Sequence, residues 1–436
     1  MLQMWKFALL VGFLHFFWVS AKVTNKEYVK WVETKLHGKV HSKLDIRESA
    51  IGGRGIFAKH NIPANTVVLE VYPFDWESDI RVEQNQAGSS NTRSGQSEVC
   101  SFDKDTFDLA SNMLALNSTA KLRTKYKLWF DSLPPPINLF NWTVAEKAGL
   151  FFLEKVEKLN VREGTLKKYF AETYDGDNTD DDYRTRVLLR EFQVAMSVVL
   201  TRAFDVPGMV TGTTRRVIFP YLSFFNHDSN DYNTQYEIKN GNQMVVQTAV
   251  PIAAGTELLI NYGPGLNSED FLLQYDFVPN EAGDKEVVRI PLNLRTLRHM
   301  KQLRIKRPLK RKRKLLKQKK LMELRIMKNG FGDNDSVILC RILATDKTNI
   351  GLLENLSKED WKETSYSKTL EVKALTIGVR IAKHRIKILS QHVPSTTFKY
   401  LSCRSRLCKI DRLHARELSI LQTFVRHTEI MLRLYL

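Results

Sequence analysis

Two stretches patterned as β-strand, residues 46–75 and 215–280, are separated by a helical run over 108–204. A chain written this way must bring its two β-halves back together across the helical passage. In the first half, Ile51-Gly-Gly-Arg-Gly-Ile-Phe-Ala58 leads into Thr66-Val-Val-Leu-Glu-Val-Tyr72, two strands around a glycine-rich turn. In the second, Gln243 to Ala249 reads as strand, an Ala-Ala-Gly turn follows, and Glu257 to Tyr262 reads as strand again. Between them, Thr143-Val-Ala-Glu146 is a capping box that starts a helix. A longer helix is expected from Tyr183 to Phe204, with Leu188, Phe192, Ala195 and Val199 on one face. Residues 22–45 read as a short helix, because Tyr28, Trp31, Val32 and Leu36 share a face, and 80–104 read as a polar loop. No internal repeat is present.

The two ends differ in character. Lys6, the apolar run Phe7 to Val19 and the small residues Val19-Ser20-Ala21 form a targeting segment. The run is shorter than the roughly 20 residues that span a bilayer, so a signal peptide over 1–21 is expected, with no membrane span after cleavage. It directs the chain into the secretory pathway, to the endoplasmic reticulum or to a plastid reached through it. The sequons at Asn117, Asn141 and Asn355 agree. Beyond residue 285 the chain becomes basic and helical, and Lys301 to Lys320 holds twelve Lys or Arg. That block is favoured as a solvated basic face; nucleic-acid contact or a nuclear address is the alternative. With 66 Lys and Arg against 48 Asp and Glu the net charge is +18, which favours acidic partners. Four scattered cysteines without a C-x-x-C pair give no zinc site, though Cys403 and Cys408 are close enough to pair in an oxidising compartment. The acidic run Asp175 to Asp182 fails as an EF-hand, since its twelfth position is Arg186.

Four segments carry chemistry. Gly53-Arg54-Gly55 lets backbone approach a ligand. Leu200-Thr-Arg202-Ala-Phe204 puts a guanidinium at a helix end, where it can grip carbonyls or a carboxylate. Phe219-Pro-Tyr-Leu-Ser-Phe-Phe-Asn226-His227-Asp228 places two polar side chains at the edge of an apolar run. Gly255-Thr-Glu-Leu-Leu-Ile-Asn-Tyr262-Gly263 is followed by Asn267-Ser-Glu-Asp-Phe-Leu-Leu-Gln-Tyr275-Asp-Phe277. No G-x-S-x-G elbow accompanies the histidine, so hydrolysis is not supported.

Taken in order, G-R-G-I-F-A, N-H and G-T-E-L-x-I-x-Y-G closely resemble the SET-domain methyltransferases. The helical insert, V-L-T-R-A-F, and Y-G-x-x-x-N-S-E-D-F-L-L-x-Y-x-F look like the Rubisco large-subunit methyltransferase type. The resemblance implies an α+β chain: a SET β-fold with pseudoknot and helical insert over 22–284, then a basic segment and an all-α substrate-binding domain over 285–436. It implies a monomeric protein-lysine methyltransferase using S-adenosyl-L-methionine on a non-histone protein, with histidine methylation or an inactive binding module as alternatives. By resemblance Tyr262 is the active-site tyrosine. Gly53, Arg54, Gly55, Arg202, Asn226, His227 and Phe277 then surround the cofactor, and Tyr275 lines the lysine channel. Arg202 would take the cofactor carboxylate, and Phe277 would stack on adenine. Ser223 stands where the family usually has Asp, and Asp276 where it has Gly.

Overall fold

The computed structural model describes residues 23–51, 53–76, 104–118, 120–133, 137–150, 153–174, 183–207, 214–263, 265–292, 309–346, 367–391 and 405–435. The targeting segment, the acidic run, Asn355 and Cys403 lie outside the described residues. Two compact units are present: one reaches Tyr262 and adds Leu273–Asp276, the other comprises Gly263–Leu272 and the chain from Phe277 onward.

The first unit opens with helix α1 (Asn25–Lys35). Thr24 caps it reciprocally with Glu27, and Tyr28, Trp31 and Val32 form its buried face. The helix is shorter than its periodicity over 22–45 suggests, because two strands follow: β1 (Lys39–Val40) and β2 (Leu44–Glu48). The glycine-rich turn joins β2 to β3 (Arg54–Ala58), rather than β3 to β4 (Val67–Val71). Ile56 and Ala58 alternate into the core, as a strand buried on one face requires.

The insert contributes α2 (Lys104–Ser118), α3 (Ala120–Ser132), α4 (Val144–Gly149), α5 (Leu153–Tyr174) and α6 (Tyr183–Arg202). Thr143 and Glu146 make both bonds of the expected capping box at α4. Helix α6 ends at Arg202, and Ala203 already belongs to β5 (Ala203–Pro207), which forms a hairpin with β6 (Thr214–Ile218).

Four strands follow: β7 (Asn226–His227), β8 (Thr234–Lys239), β9 (Gln243–Thr248) and β10 (Glu257–Ile260). They complete two sheets, ordered β1-β4-β9-β8 and β2-β3-β10-β7. The pairing of β7 with β10 is parallel, with Asn226 opposite Leu259 and His227 opposite Ile260. A parallel pair needs a crossover, and here the chain passes through β8 and β9 of the other sheet before returning. The insert is bound to this framework by aromatic packing. Phe74, just beyond β4, lies 5.4 Å from Trp76, 5.1 Å from Tyr126 and 5.3 Å from Trp129, the last two on α3. Trp31 of α1 adds an indole N–H bond to the Lys125 carbonyl at 3.1 Å.

The second unit holds α7 (Ser268–Tyr275, shared at its end with the first unit), α8 (Leu309–Gln318), α9 (Asn334–Ala344), α10 (Lys368–Ser390) and α11 (Arg406–Tyr435). It also holds a two-stranded antiparallel sheet, β11 (Val287–Pro291) with β12 (Glu323–Met327), where the sequence reading expected helix alone. Val288, Ile290, Leu324 and Ile326 point into its core. The basic helix α8 buries Leu315 and Leu316, so its apolar side is already covered. Cys408 is disulfide-bonded and Cys340 is a buried free thiol. Among the described residues no helix is long and apolar enough to cross a membrane.

Because Phe74 packs among four buried aromatic rings, those of Trp31, Trp76, Tyr126 and Trp129, Phe74→Ala should destabilise the first unit by about 3–5 kcal/mol, the range for emptying a buried aromatic site. Urea denaturation should show a lower midpoint at unchanged slope.

Candidate active site

The parallel crossing of β7 and β10 gathers most of the residues that the sequence singles out. Asn226 donates from Nδ2 to Glu257 Oε1 at 2.6 Å and to the Arg54 carbonyl at 3.3 Å. The other Glu257 oxygen accepts from Ser49 Oγ at 2.8 Å. Three distant segments therefore meet on one carboxylate. Gly55 explains why they can: a Cβ there would sit 2.0 Å from Glu257 Oε1 and 3.0 Å from Asn226 Nδ2. The glycine makes room for the protein's own carboxylate. Gly53 plays a different part. It holds φ +60°, and the position of its missing Cβ is open space. Arg54 turns away from the turn; its Nη2 donates to the Ser132 carbonyl ending α3, and its guanidinium lies 5.4 Å from the Phe224 ring.

Ahead of Asn226 the backbone is bent sharply. Tyr221 has φ +65°, ψ −43°, and Leu222 N–H bonds back to the Pro220 carbonyl at 2.7 Å. This is a γ-turn of the strained, positive-φ kind, at a fully buried tyrosine. A short 3-10 turn (Leu222–Phe224) follows. The turn and the residue after it present two carbonyls to the site. Arg202 Nη1 donates to the Ser223 carbonyl at 2.6 Å, and Tyr262 Oη donates to the Phe225 carbonyl at 2.7 Å. Burial lowers the pKa of Arg202. Ser223 Oγ is buried without a hydrogen-bond partner.

Beyond Asn226, His227 is locked by both ring nitrogens. Its Nδ1 accepts the Tyr262 backbone N–H at 3.1 Å, which puts the ring proton on Nε2, 2.8 Å from Ser229 Oγ. Burial lowers its pKa to about 4, with Asp228 opposing the shift. At neutral pH His227 is an uncharged spacer under Tyr262, its ring 5.2 Å away. Tyr275 packs on the other side of Tyr262 at 5.1 Å. Burial raises both phenols, Tyr275 to about 12 and Tyr262 further, so both stay protonated. The next residue, Asp276, keeps φ +57° without being glycine.

Arg54, Gly55, Asn226, His227, Arg202, Tyr262 and Tyr275 thus belong to the first unit and are linked through the 223–227 segment. Phe277 belongs to the second unit, where its ring lies 5.3 Å from Phe271. The sequence reading missed Glu257 and Ser49 as parts of the site. It also missed Asn233, whose amide brackets β10 by bonding the Glu257 carbonyl and the Leu259 N–H, each at 2.8 Å. The sequence signal for Glu257 was its position between a turn and an apolar strand, where a lone acid is out of pattern.

Comparison with known proteins places this geometry in a class. Residues 53–263 match the SET domain family model. The chain's fold is that of two solved structures in particular. The SET domain of LSMT bound to lysine and AdoHcy is 16% identical, with a TM-score of 0.62 over 94% of this chain and 92% of that one. Rubisco LSMT bound to AdoMet is 15% identical, with a TM-score of 0.59 over 95% and 93%. No curated protein matches the chain in sequence.

Two outcomes follow from this geometry. Gly55→Ala should cost about 1–3 kcal/mol by overpacking, and Glu257→Ala in the same chain should return part of that loss, measured as a double-mutant cycle in urea. His227 takes up a proton at about 4 in the folded chain but near 6.5 when unfolded, so between these values the unfolded chain binds more protons. Stability should therefore fall as pH drops through that window, by at most about 1.4 kcal/mol per pH unit. His227→Gln should flatten the profile of unfolding midpoint against pH.

Proposed function

We propose that this chain is a protein methyltransferase that takes its methyl group from S-adenosylmethionine and delivers it to a lysine side chain of a non-histone protein. The observation that carries the reading is the Tyr262 hydroxyl, held on the Phe225 carbonyl at 2.7 Å beside the β7–β10 crossing. The structural neighbours named as bound to lysine, AdoHcy and AdoMet support it.

The residues fit such a cofactor. Arg202 offers a half-buried guanidinium beside Ser223, whose buried hydroxyl has unused hydrogen-bonding capacity. The amino-acid end of the cofactor, with its carboxylate, suits that pair. Gly53 is exposed, with open space where a Cβ would stand, and the 226–227 backbone would supply the edge. When bound, S-adenosylmethionine supplies an electrophilic methyl group on sulfur. The protein's task is positioning, which can be worth about 7–11 kcal/mol of barrier in well-oriented systems.

Tyr262 donates its proton to Phe225, so its oxygen is left to accept from an amine. It does not act as a base, because burial keeps it protonated. His227 does not either, since both ring nitrogens are bonded. The incoming lysine therefore loses its proton to water before it attacks. The paired rings of Tyr262 and Tyr275 give a poorly solvated wall that disfavours the charged ammonium.

A second reading, a SET-fold binding module without activity, is favoured by Ser223 in place of an acid and Asp276 in place of glycine. Calorimetric titration with S-adenosylmethionine separates the two readings. Binding at micromolar Kd supports the enzyme; no binding to a folded chain leaves the module. Tyr262→Phe should lower methyl transfer about 100-fold while changing cofactor affinity little. The pH–rate profile distinguishes the acceptor. A lysine with pKa near 10.4 gives a rate that climbs about tenfold per pH unit from 6 to 8, whereas a histidine near 6.5 gives a plateau above about 7.

A further inference from the structure

Tyr28 of α1 lies ahead of the matched 53–263 region, yet its side chain reaches the segment that leads into Asn226. Its ring is buried and packs 5.2 Å from Phe224 and 6.0 Å from Tyr221. Helix α1 holds that segment a second time through Tyr221 Oη, which donates to Asn25 Oδ1 at 3.3 Å. These contacts flank Ser223, the middle residue of the 3-10 turn.

The hydroxyl of Tyr28 is less well served than its ring. It lies near the Tyr221 backbone and Ser132, but meets hydrogen-bond geometry with neither. Ser132 Oγ is spent on the Trp129 carbonyl at 2.6 Å. A buried hydroxyl without a full bond is costly, and Ser223 Oγ on the adjoining turn is in the same condition. Two guanidinium groups meet this corner. Arg202 donates from Nη1 to the Ser223 carbonyl at 2.6 Å. Arg54 donates from Nη2 to the Ser132 carbonyl and lies 5.4 Å from the Phe224 ring. Neither arginine has an ion pair among the described residues. Burial lowers both pKa values, and Tyr28 opposes the shift in each, as expected of a phenol within electrostatic reach of both charges. Glu48, the carboxylate that acts on Arg54, is exposed on β2. Burial also keeps the Tyr28 phenol protonated, so it can donate. Two hydroxyl donors beside two guanidinium groups suit one carboxylate.

We propose that Tyr28 belongs to the cofactor site, where its hydroxyl donates to the carboxylate of the cofactor's amino-acid end alongside Ser223 and Arg202. The proposal rests on the methyltransferase reading above. It gives α1 a part in binding as well as in packing.

The test titrates S-adenosylhomocysteine, and separately its decarboxylated analogue, into the full chain and into Tyr28→Phe, which keeps the ring and removes the oxygen. S-adenosylhomocysteine should bind the variant about tenfold more weakly, and the analogue should bind it within about twofold of the wild type, since it offers no carboxylate. The unfolding midpoint of the ligand-free variant should not fall, because the hydroxyl it loses has no full bond. A hydroxyl that serves the fold alone would lower that midpoint or weaken both ligands alike, and either result overturns the proposal. Unchanged affinity of Tyr28→Phe for S-adenosylhomocysteine overturns it too and leaves the methyltransferase reading standing. A folded wild-type chain that binds neither ligand overturns both.

Discussion

The site depends on one part-buried meeting point, the Glu257 carboxylate shared by Asn226 and Ser49 over the bare face of Gly55. A carboxylate partly withdrawn from water is costly unless its oxygens are bonded, and here each oxygen has a donor. The arrangement removes a polar cost and fixes β10 against β7 and the β2–β3 turn. Every other placement in the site follows from that crossing. Tyr262 leaves β10 one residue beyond Asn261, and its N–H and hydroxyl reach His227 and Phe225 on the neighbouring segment. Arg202, arriving at the end of α6, closes on Ser223 of the same segment.

The strain near this segment has the same logic. Tyr221 holds a γ-turn that a bulky residue adopts only at a cost of roughly 1–3 kcal/mol. Its ring is fully buried and packs 6.2 Å from Phe224 and 6.0 Å from Tyr28, which offsets the cost. Asp276, at φ +57°, sits where glycine would be free of penalty, although Asp tolerates this region better than most residues. The backbone turn after Tyr275 is therefore retained despite the substitution.

Much of this was legible in the sequence, because the motifs name their own residues. Tyr262 at the end of an apolar strand beside Gly, Asn-His after an apolar run, and Arg at a helix end each carry a local signal. The role of Glu257 does not, since its partners Ser49 and Gly55 lie far away in the chain and only the folded crossing unites them. Gly55 itself was read as an approach for a ligand; in the fold it also accommodates an internal carboxylate. The β11–β12 sheet was missed for a related reason. Val288 and Ile290 alternate with Arg289, and Leu324 and Ile326 with Arg325, but each run is five residues long and the basic helix separates them. The helical character of the chain beyond residue 285 was legible because long amphipathic periods need no distant partner to be seen.

The central claim is that the β7–β10 crossing forms the cofactor site, and amide hydrogen exchange with and without S-adenosylmethionine tests it most directly. The account predicts slower exchange on cofactor addition at residues 53–55, 223–228 and 257–262, with the α9 and α10 helices unchanged. Unaltered exchange across all three segments at saturating cofactor, or protection confined to the second unit, would contradict it.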